Sequence, residues 1–358
     1  MDRNEILYWL RETNEQRLEE LWRRADNVRR RAVGDQVHLR GLIEISNVCA
    51  RSCLYCGLRA PNAKIERYRL TDREILDCAA HAVQLGYGTV VMQAGEDYGV
   101  ETDRLARLIR QIKSDTPLAV TLSLGERPDQ DLVAWRQAGA DRYLLRFETS
   151  NPKLYKIIHP DLNNRPSDRI AILRRLDQLG YEVGSGVMVG IPGQSYDDLA
   201  DDIAMFRELR LHMIGVGPWL PHPDTPLAQM ASQLRLPPDR QVPNDEITTY
   251  KAVALARLAC PWANIPSTTA LATVNQANGR ELGLVRGANV VMPNLTPLRY
   301  RPLYEIYPAK ACLQESPDDF HLRLRSRIHD IGRTVGAGRG DSKRQTNASS
   351  ARQAETGG

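Results

Sequence analysis

The alternation of apolar strands with amphipathic helical segments predicts an α/β fold, and the number of strands favours a (β/α)8 barrel of the TIM type. The eight candidate strands are residues 37–45, 89–93, 118–124, 142–147, 183–189, 213–219, 264–269 and 289–292. Consecutive βα units build a parallel sheet, and right-handed crossovers can close such a sheet into a barrel. A doubly wound open sheet remains the alternative, because the strand count alone does not exclude it.

The segments that flank the barrel differ from it in composition. Residues 1–34 are charged, Leu-rich and helical in pattern, which predicts N-terminal helices that close the barrel lumen. The barrel itself is expected over residues 35–332. Residues 333–358 are dominated by Gly, Ser, Arg, Gln and Thr. Such a segment buries little apolar surface, so we expect a disordered basic tail.

Length and composition exclude several classes of protein. The chain of 358 residues is 42% hydrophobic and 26% charged, which is typical of a soluble globular protein. Its net charge of +4 lies largely in the tail, so no nucleic-acid partner is indicated. Apolar runs are far shorter than the ~20 residues of a membrane span, and the N-terminus does not resemble a signal peptide. Six cysteines without a secretion signal predict a cytoplasmic protein.

Three cysteines carry the clearest chemical signal in the chain. Cys49, Cys53 and Cys56 follow the spacing Cys-x3-Cys-x2-Cys, with Tyr55 directly before the last of them. They can hold three corners of a [4Fe–4S] cluster, which normally takes four thiolates. One iron is then open to a substrate or cofactor. This spacing is the signature of the radical S-adenosylmethionine (SAM) superfamily.

Other interpretations of these cysteines are less favoured. Cys53 and Cys56 alone could form a thioredoxin-like redox pair or half of a structural zinc site. Zinc would need a second pair of ligands, and neither Cys-x2-Cys nor His-x3-His follows in the sequence. A thioredoxin fold would be far shorter than this chain.

Polar and glycine-rich motifs occur where the predicted strands end, which is where barrel enzymes place their chemistry. The cysteine motif follows the first strand, and five further strands end in such residues: Gly95-Glu96-Asp97, Gly125-Glu126, Glu148, Gly190-Ile191-Pro192-Gly193, and Thr268-Thr269. This placement supports a barrel independently of the cysteines.

The functional groups of SAM suggest a role for several of these residues. Gly95, Glu96 and Asp97 offer carbonyl and carboxylate oxygens to its ammonium group, although they could simply form an acidic loop. Glu148 would be costly in a barrel interior unless it is paired or bound, and it suits the ribose or the cation. Arg169 could pair with the SAM carboxylate in a fork geometry, or lie on the surface.

Three more residues complete this set of cofactor candidates. Gly190 and Gly193 would let the backbone approach a flat ligand closely, although a tight βα turn explains them equally well. Tyr55 could pack beside the adenine or shield the cluster from water.

Long local motifs give the sequence a narrower resemblance. It resembles the HydE family of [FeFe]-hydrogenase maturases across about residues 35–312, and the matching stretches include Ser52-Cys53-Leu54-Tyr55-Cys56-Gly57-Leu58-Arg59 and Pro221-His222-Pro223-Asp224-Thr225-Pro226-Leu227-Ala228. The others are 43–49, 93–97, 121–126, 140–146, 148–149, 188–194, 265–270 and 287–294.

The resemblance implies a complete (β/α)8 barrel and a role in building the organometallic cofactor of the hydrogenase. A 5′-deoxyadenosyl radical would act on sulfur of a cysteine-bound Fe(CO)2(CN) species that a partner maturase supplies. Other hydrogenase maturases, and an electron donor such as a ferredoxin or flavodoxin, are the expected partners.

The resemblance also assigns residues. SAM would be held by Ser123, Glu148 and Arg169. The substrate would be bound by Arg146, Thr268 and Thr269 across the lumen, and Met213 matches a position that lines the cavity.

One departure from the family concerns a second, surface cluster that some members bind through C-terminal cysteines. This chain has Cys312, but residues 313–327 contain no further cysteine. We therefore expect one [4Fe–4S] cluster per chain.

Three alternative functions remain open. A biotin synthase would need further cysteines in the lumen, where this chain has Glu, Ser and Thr. A methylornithine synthase-like mutase shares the barrel but matches the motifs less well. A non-catalytic Fe–S carrier or scaffold has no need for an open iron.

Overall fold

The computed structural model describes residues 1–162, 166–308 and 316–344. Within these ranges a parallel sheet runs in the order β6-β5-β4-β3-β2-β1-β7, and β8 pairs with β1 outside this path. The strands are β1 (Gln36–Ser46), β2 (Thr89–Ala94), β3 (Ala119–Ser123), β4 (Arg142–Leu144), β5 (Glu182–Val189), β6 (Met213–Pro218), β7 (Val290–Val291) and β8 (Thr334–Val335).

The sheet closes into a barrel through residues 264–266. Asn264 forms a parallel bridge to Met213 of β6, and Pro266 forms one to Val290 of β7. The (β/α)8 barrel is therefore confirmed, and the open-sheet alternative is wrong. The predicted seventh strand, 264–269, is shorter than expected because Thr268 already caps a helix through a hydrogen bond from the Leu271 amide to its side chain.

Fourteen α-helices surround or extend the barrel in the described part of the chain. They are α1 (Arg3–Arg11), α2 (Glu15–Val33), α3 (Asp72–Gln84), α4 (Thr102–Asp115), α5 (Asp129–Gln137), α6 (Pro152–Ile158), α7 (Arg169–Gln178), α8 (Tyr196–Glu208), α9 (Pro226–Gln229), α10 (Ala231–Leu234), α11 (Glu246–Ala259), α12 (Thr269–Val274), α13 (Gly279–Val285) and α14 (Pro317–Asp330). Thr71 and Glu74 form a capping box at α3. No helix in the described ranges is both long and apolar enough to span a membrane.

The N-terminal extension consists of two helices, α1 and α2. Asn14 caps α2 with its side chain, and the Glu12 carboxylate accepts the Thr13 and Asn14 amides, so the chain turns between the helices. Buried residues such as Trp9 and Leu21 pack α1 and α2 against the outer helices α8 and α11. These helices extend the outer layer of the barrel. They do not close its lumen, although the sequence analysis predicts that they would.

Residues 333–344, here called the C-terminal strap, cover the amino-terminal end of the barrel. The Arg339 carbonyl accepts hydrogen bonds from Thr89 Oγ1 at 2.8 Å and Arg142 Nη2 at 3.0 Å. The Gly340 carbonyl accepts from Arg40 Nη2 and Asn264 Nδ2, both at 3.0 Å.

A disordered tail was predicted over residues 333–358, but its first part, the strap, is ordered. Arg333 is buried and donates to four backbone carbonyls, and Thr334–Val335 pairs with β1. The prediction counted apolar surface, whereas hydrogen bonds from buried side chains hold this segment. Residues 345–358 lie outside the described residues.

Glycines on β6 leave space inside the barrel. A Cβ atom on Gly215 would have Ser185 O at 3.8 Å and Arg146 Nη1 at 3.9 Å as its nearest neighbours. One on Gly217 would lie 3.5 Å from Thr268 Oγ1. Barrel interiors are usually filled by bulky branched side chains. Here the two positions between Arg146 and Thr268 carry no side chain, and each leaves room for a Cβ atom.

Candidate active site

The cysteine loop, residues 47–58, follows β1 at the carboxyl end of the barrel. Arg67 frames this loop: its Nη1 donates to the carbonyls of Asn47 at 2.7 Å and Leu58 at 2.8 Å. Its Nη2 donates to the carbonyls of Arg59 at 2.9 Å and Asn62 at 3.2 Å. One guanidinium group therefore holds both ends of the loop in place.

The three thiols of this loop are free; Cys53 is buried, and Cys49 and Cys56 are half-buried. Cys49, Cys53 and Cys56 form no disulfide, and burial raises the pKa of all three, that of Cys53 to about 12. A buried thiolate needs a compensating positive charge, and a coordinated metal supplies it and deprotonates the thiol.

The three free thiols of this loop match the number of protein ligands that a [4Fe–4S] cluster with one open iron needs. Among residues 1–162, 166–308 and 316–344, no three Cys, His, Asp or Glu side chains converge on one metal ion, as structural zinc would require. A [4Fe–4S] cluster takes each thiolate on a different iron, so its ligands lie farther apart. The residues present therefore fit a cluster with three protein ligands. Cys312 lies outside the described residues.

Gly95 brings the loop after β2 into contact with the cysteine loop. A Cβ atom there would lie 2.3 Å from Val48 O and 2.8 Å from Cys49 Cβ, so a larger residue would separate the loops. The Ala50 amide donates to Glu96 O at 2.9 Å, and the Glu96 amide lies 3.4 Å from Cys49 Sγ. Gly95 thus has a packing role at the first cysteine.

The carboxylates of Glu96 and Asp97 are bound within the protein. Glu96 accepts hydrogen bonds from Arg51, Tyr98 and the Glu126 amide. Burial alone would raise the pKa of Asp97, but hydrogen bonds from Arg69, Ser46 and the Gly99 amide hold it below its ordinary value. The contact of this loop with a SAM ammonium group stays a prediction. Because the carboxylates already have partners, the backbone carbonyls of the loop suit that contact.

Glu148 has a strained backbone, as residues at functional sites often do. Its φ is +62°, in the left-handed region, and its side chain is buried. Arg146 Nε lies 3.0 Å from its carboxylate, and the Tyr55 hydroxyl lies 3.5 Å from it. Glu148 and Tyr55 therefore meet at the cysteine loop, and their contact with a cofactor stays a prediction.

Asp202 supports this strained turn through hydrogen bonds to the residues that follow it. The sequence did not predict this role. Its buried carboxylate accepts the Ser150 amide at 2.5 Å, the Ser150 hydroxyl at 2.7 Å and the Gln194 amide nitrogen at 3.1 Å. It therefore connects the residues after Glu148 to the turn after β5. In sequence it is one of several acidic residues on α8, which gives no signal of burial.

Arg169 lies at the start of α7 and is buried, not on the surface. Its Nε donates to Glu126 at 2.9 Å, its Nη1 to the Arg146 carbonyl at 2.7 Å, and its Nη2 lies 2.5 Å from His159 Nε2. These contacts fix the guanidinium near the cysteine loop. Ser123 ends β3 opposite Gln93 of β2, at the same end of the barrel.

The approach of a ligand to Gly190 and Gly193 stays a prediction, because the contacts of these glycines with the protein explain them without a ligand. Both have left-handed backbones, with φ of +80° and +91°. A Cβ atom on Gly190 would lie 2.4 Å from the backbone of Asn244, and the nearest atom to one on Gly193 would be Leu234 O at 3.2 Å. The glycines form a tight turn packed against protein, which was the alternative explanation.

The predicted substrate residues fall in two places. Arg146 donates to Val187 O at 2.6 Å and faces Thr268 across the glycines of β6, and Thr269 follows Thr268 at the start of α12. Met213 instead begins β6, where its sulfur lies 3.0 Å from Arg40 Nη1 next to the strap. Met213 therefore lines the opposite end of the lumen.

An apolar cluster covers the cysteine loop on one side. It brings together residues of α6, the turns after β5 and β6, and α9, with Leu54 and Tyr55 of the loop packed on it; its buried members are Leu154, Ile158, Met188, Ile191, Trp219 and Leu227. Such a cover excludes water, which reactive intermediates require.

Comparison with known proteins shows which proteins this chain is similar to. Residues 43–206 match the family described as the Radical SAM superfamily. The [FeFe] hydrogenase maturase subunit HydE of Thermotoga maritima is 46% identical over 326 residues, which cover 91% of this chain and 89% of that protein. The 3-methylornithine synthase of Methanosarcina acetivorans is 27% identical over 283 residues, covering 78% and 75%.

Solved structures agree on the fold. The crystal structure of methylornithine synthase (PylB) has a TM-score of 0.76 at 25% identity and covers 94% of each chain. The maturase HydG of Carboxydothermus hydrogenoformans has a TM-score of 0.72 at 18% identity and covers 93% of this chain and 75% of that one. With nearly full-length similarity to HydE, this radical SAM enzyme belongs to the HydE family of [FeFe]-hydrogenase maturases.

Proposed function

We propose that this enzyme binds one [4Fe–4S] cluster through Cys49, Cys53 and Cys56 and uses SAM in the assembly of the [FeFe]-hydrogenase cofactor. The observation that carries this proposal is the set of three free thiols, one buried and two half-buried, on a framed loop at the mouth of a barrel. When bound, the reduced cluster supplies the electron that cleaves SAM to methionine and a 5′-deoxyadenosyl radical.

The protein's own residues bind and orient SAM, and they exclude water. Arg169 presents a fixed guanidinium to the SAM carboxylate, and Glu148 presents a carboxylate to the ribose or the cation. Ser123 lies at the same strand ends. Tyr55 and the apolar cluster keep water from the mouth of the barrel.

The substrate we propose is a cysteine-bound Fe(CO)2(CN) species supplied by a partner maturase, with its sulfur as the target of the radical. An anionic ligand of this kind suits the space between Arg146 and Thr268, because Arg146 Nη1 points toward the open side of β6. Thr269, the next residue in the chain, would add a second hydroxyl group to this site. A ferredoxin or flavodoxin would supply the electron.

The test is anaerobic reconstitution with iron and sulfide, followed by incubation with SAM and dithionite. We expect about four irons per chain and the release of 5′-deoxyadenosine; a loaded protein that leaves SAM intact would contradict the proposal. Adding the organometallic precursor should then give a product bound through sulfur, detected by mass spectrometry.

A methylornithine synthase-like mutase is the second candidate. The close agreement with the methylornithine synthase structure over 94% of both chains favours it. Because a mutase isomerises its substrate, the same reconstituted enzyme tests this alternative with an amino acid isomeric with methylornithine in place of the precursor. Formation of methylornithine, without reaction of the precursor, would support the mutase.

A further inference from the structure

We propose that Arg51 is a positioning residue that fixes the cysteine loop and aligns Arg169 for SAM. This inference rests on the proposed cluster at Cys49, Cys53 and Cys56. Arg51 lies between two of these cysteines in the sequence, and its side chain is only 6% exposed. An arginine at such a loop position would ordinarily point into solvent.

Two carboxylates from different loops bind Arg51. Its Nε lies 2.6 Å from Glu96 Oε1, in the loop after β2, and its Nη2 lies 2.6 Å from Glu126 Oε2, in the loop after β3. These carboxylates are only 2% and 11% exposed. A single guanidinium therefore ties the cysteine loop to two neighbouring strands of the barrel.

The other oxygen of Glu126 extends this connection to the SAM site. Glu126 Oε1 accepts from Arg169 Nε at 2.9 Å and from the Ser167 hydroxyl at 2.6 Å. Since a guanidinium group only donates, His159 must accept from Arg169 through Nε2. Burial, with the nearby charge of Arg169, lowers the pKa of His159 to about 2 and keeps it neutral.

Charge balance explains why Arg51 matters. Arg51 and Arg169 together neutralise Glu96 and Glu126 in a buried network. Without Arg51, Glu96 would lose its ion-pair partner, since Arg169 pairs with Glu126, and an unpaired buried carboxylate would lie beside thiols that must lose their protons to bind iron. Glu126 would lose the partner that fixes its second oxygen, and the position of Arg169 would no longer be determined by the cysteine loop.

The test compares R51M, R51K and R67M with the wild-type protein after anaerobic reconstitution. Methionine removes the charge at similar length, whereas lysine keeps it. Arg67 is the matched control, because it holds the same loop through carbonyls without touching Glu126. A second control, R175M, removes an exposed ion pair with Asp129 on the outer surface.

Two quantities are measured: cluster retention against a chelator, and the SAM concentration that half-converts the EPR signal of the reduced cluster. Outer partners of metal ligands typically change metal affinity by about 10–100-fold, so both R51M and R67M should lose the cluster faster. Only R51M should also weaken the response of its remaining clusters to SAM, by about tenfold. R51K should retain most of both properties, and R175M should match the wild type.

Different failures have different meanings. A wild-type protein that binds no cluster would contradict the proposed function. A wild-type protein that binds cluster and SAM, with R51M equal to it in both measurements, would overturn the role of Arg51. Equal SAM responses in R51M and R67M would also overturn it, because Arg51 would then only support the loop. Should R51M fail to fold, E126Q tests the same link from the carboxylate, and an unchanged SAM response would refute it.

Discussion

Gly88 contacts the C-terminal strap. Replacing this glycine therefore tests how the strap is held against the amino-terminal end of the barrel. In G88A, the new Cβ would lie 1.8 Å from Gly338 O and 2.8 Å from the Arg339 amide nitrogen. Carbon and carbonyl oxygen normally approach no closer than about 3.3 Å, so the strap backbone must move by ~1.5 Å. Both contacts are backbone atoms, which cannot rotate away as a flexible side chain could.

The hydrogen bonds of the strap set the size of the effect. A shift of this size breaks the bonds from Thr89 and Arg142 to Arg339 O, and those from Arg40 and Asn264 to Gly340 O. Bonds to a charged donor contribute about 1.5–3 kcal/mol and neutral ones about 0.5–1.5 kcal/mol. Local opening of the strap should therefore become easier by up to about 4–9 kcal/mol.

Hydrogen exchange of the peptides that cover the strap measures this opening, and limited trypsin digestion after Arg339 and Lys343 gives a second readout. The matched control is G86A, because a Cβ on Gly86 meets no atom within 4 Å and adds only the strain of its φ of +74°. We expect fast exchange and cleavage in G88A alone. Equal protection of the strap in G88A and wild type would refute the reasoning.

Three further predictions concern the cluster, the cofactor and the pH dependence of stability. Replacing Cys49, Cys53 or Cys56 with Ala should abolish the cluster, measured as iron per chain, whereas C260A, which removes a buried thiol of the outer layer, should leave it intact. E148Q keeps the shape of the turn but removes the charge beside Arg146, so the SAM concentration for half-conversion of the EPR signal should rise while the melting temperature changes little. His212 accepts the Val183 amide through Nδ1, and burial together with Arg344 lowers its pKa to about 4. The unfolded chain takes up this proton first, so the stability is complete above about pH 6.5 and falls toward pH 4 by up to about 1.4 kcal/mol per unit. H212Q should therefore show a smaller loss of melting temperature than wild type between pH 7.5 and 5, and an equal loss would contradict this assignment.

Most of the barrel could be predicted from the sequence because its strands are rich in buried apolar residues. The first six predicted strands agree with β1 to β6 within a few residues at each end, although β4 is shorter than predicted. Residues 264–269 are the exception, since they are apolar at first but continue into a helix that begins at Thr269. Periodicity cannot show where an apolar run leaves the sheet.

The site was predicted where chemistry depends on spacing within the chain, and missed where it depends on contacts between distant segments. The cysteine spacing lies within one loop, so it was visible. The turn formed by Gly190 requires glycine because Asn244 lies against it, 54 positions away, and that contact cannot be seen in the sequence. Asp202 was missed for the same reason, since its partners belong to the loops after β4 and β5.

Buried arginines are the residues that the sequence predicts least well, and this has one physical cause. Arginine is ordinarily expected on the surface, yet Arg333 is buried at the amino-terminal end of the barrel and Arg51 is buried at its mouth. Each guanidinium carries five donors in a rigid fork, so one side chain can satisfy carbonyls or carboxylates from several segments at once. A segment that is rich in Arg and Gly and poor in aromatics can therefore be ordered whenever a neighbouring element offers acceptors. The strap becomes ordered in this way through its own Arg333 and through Arg40 and Arg142 of the barrel, although its composition predicts disorder.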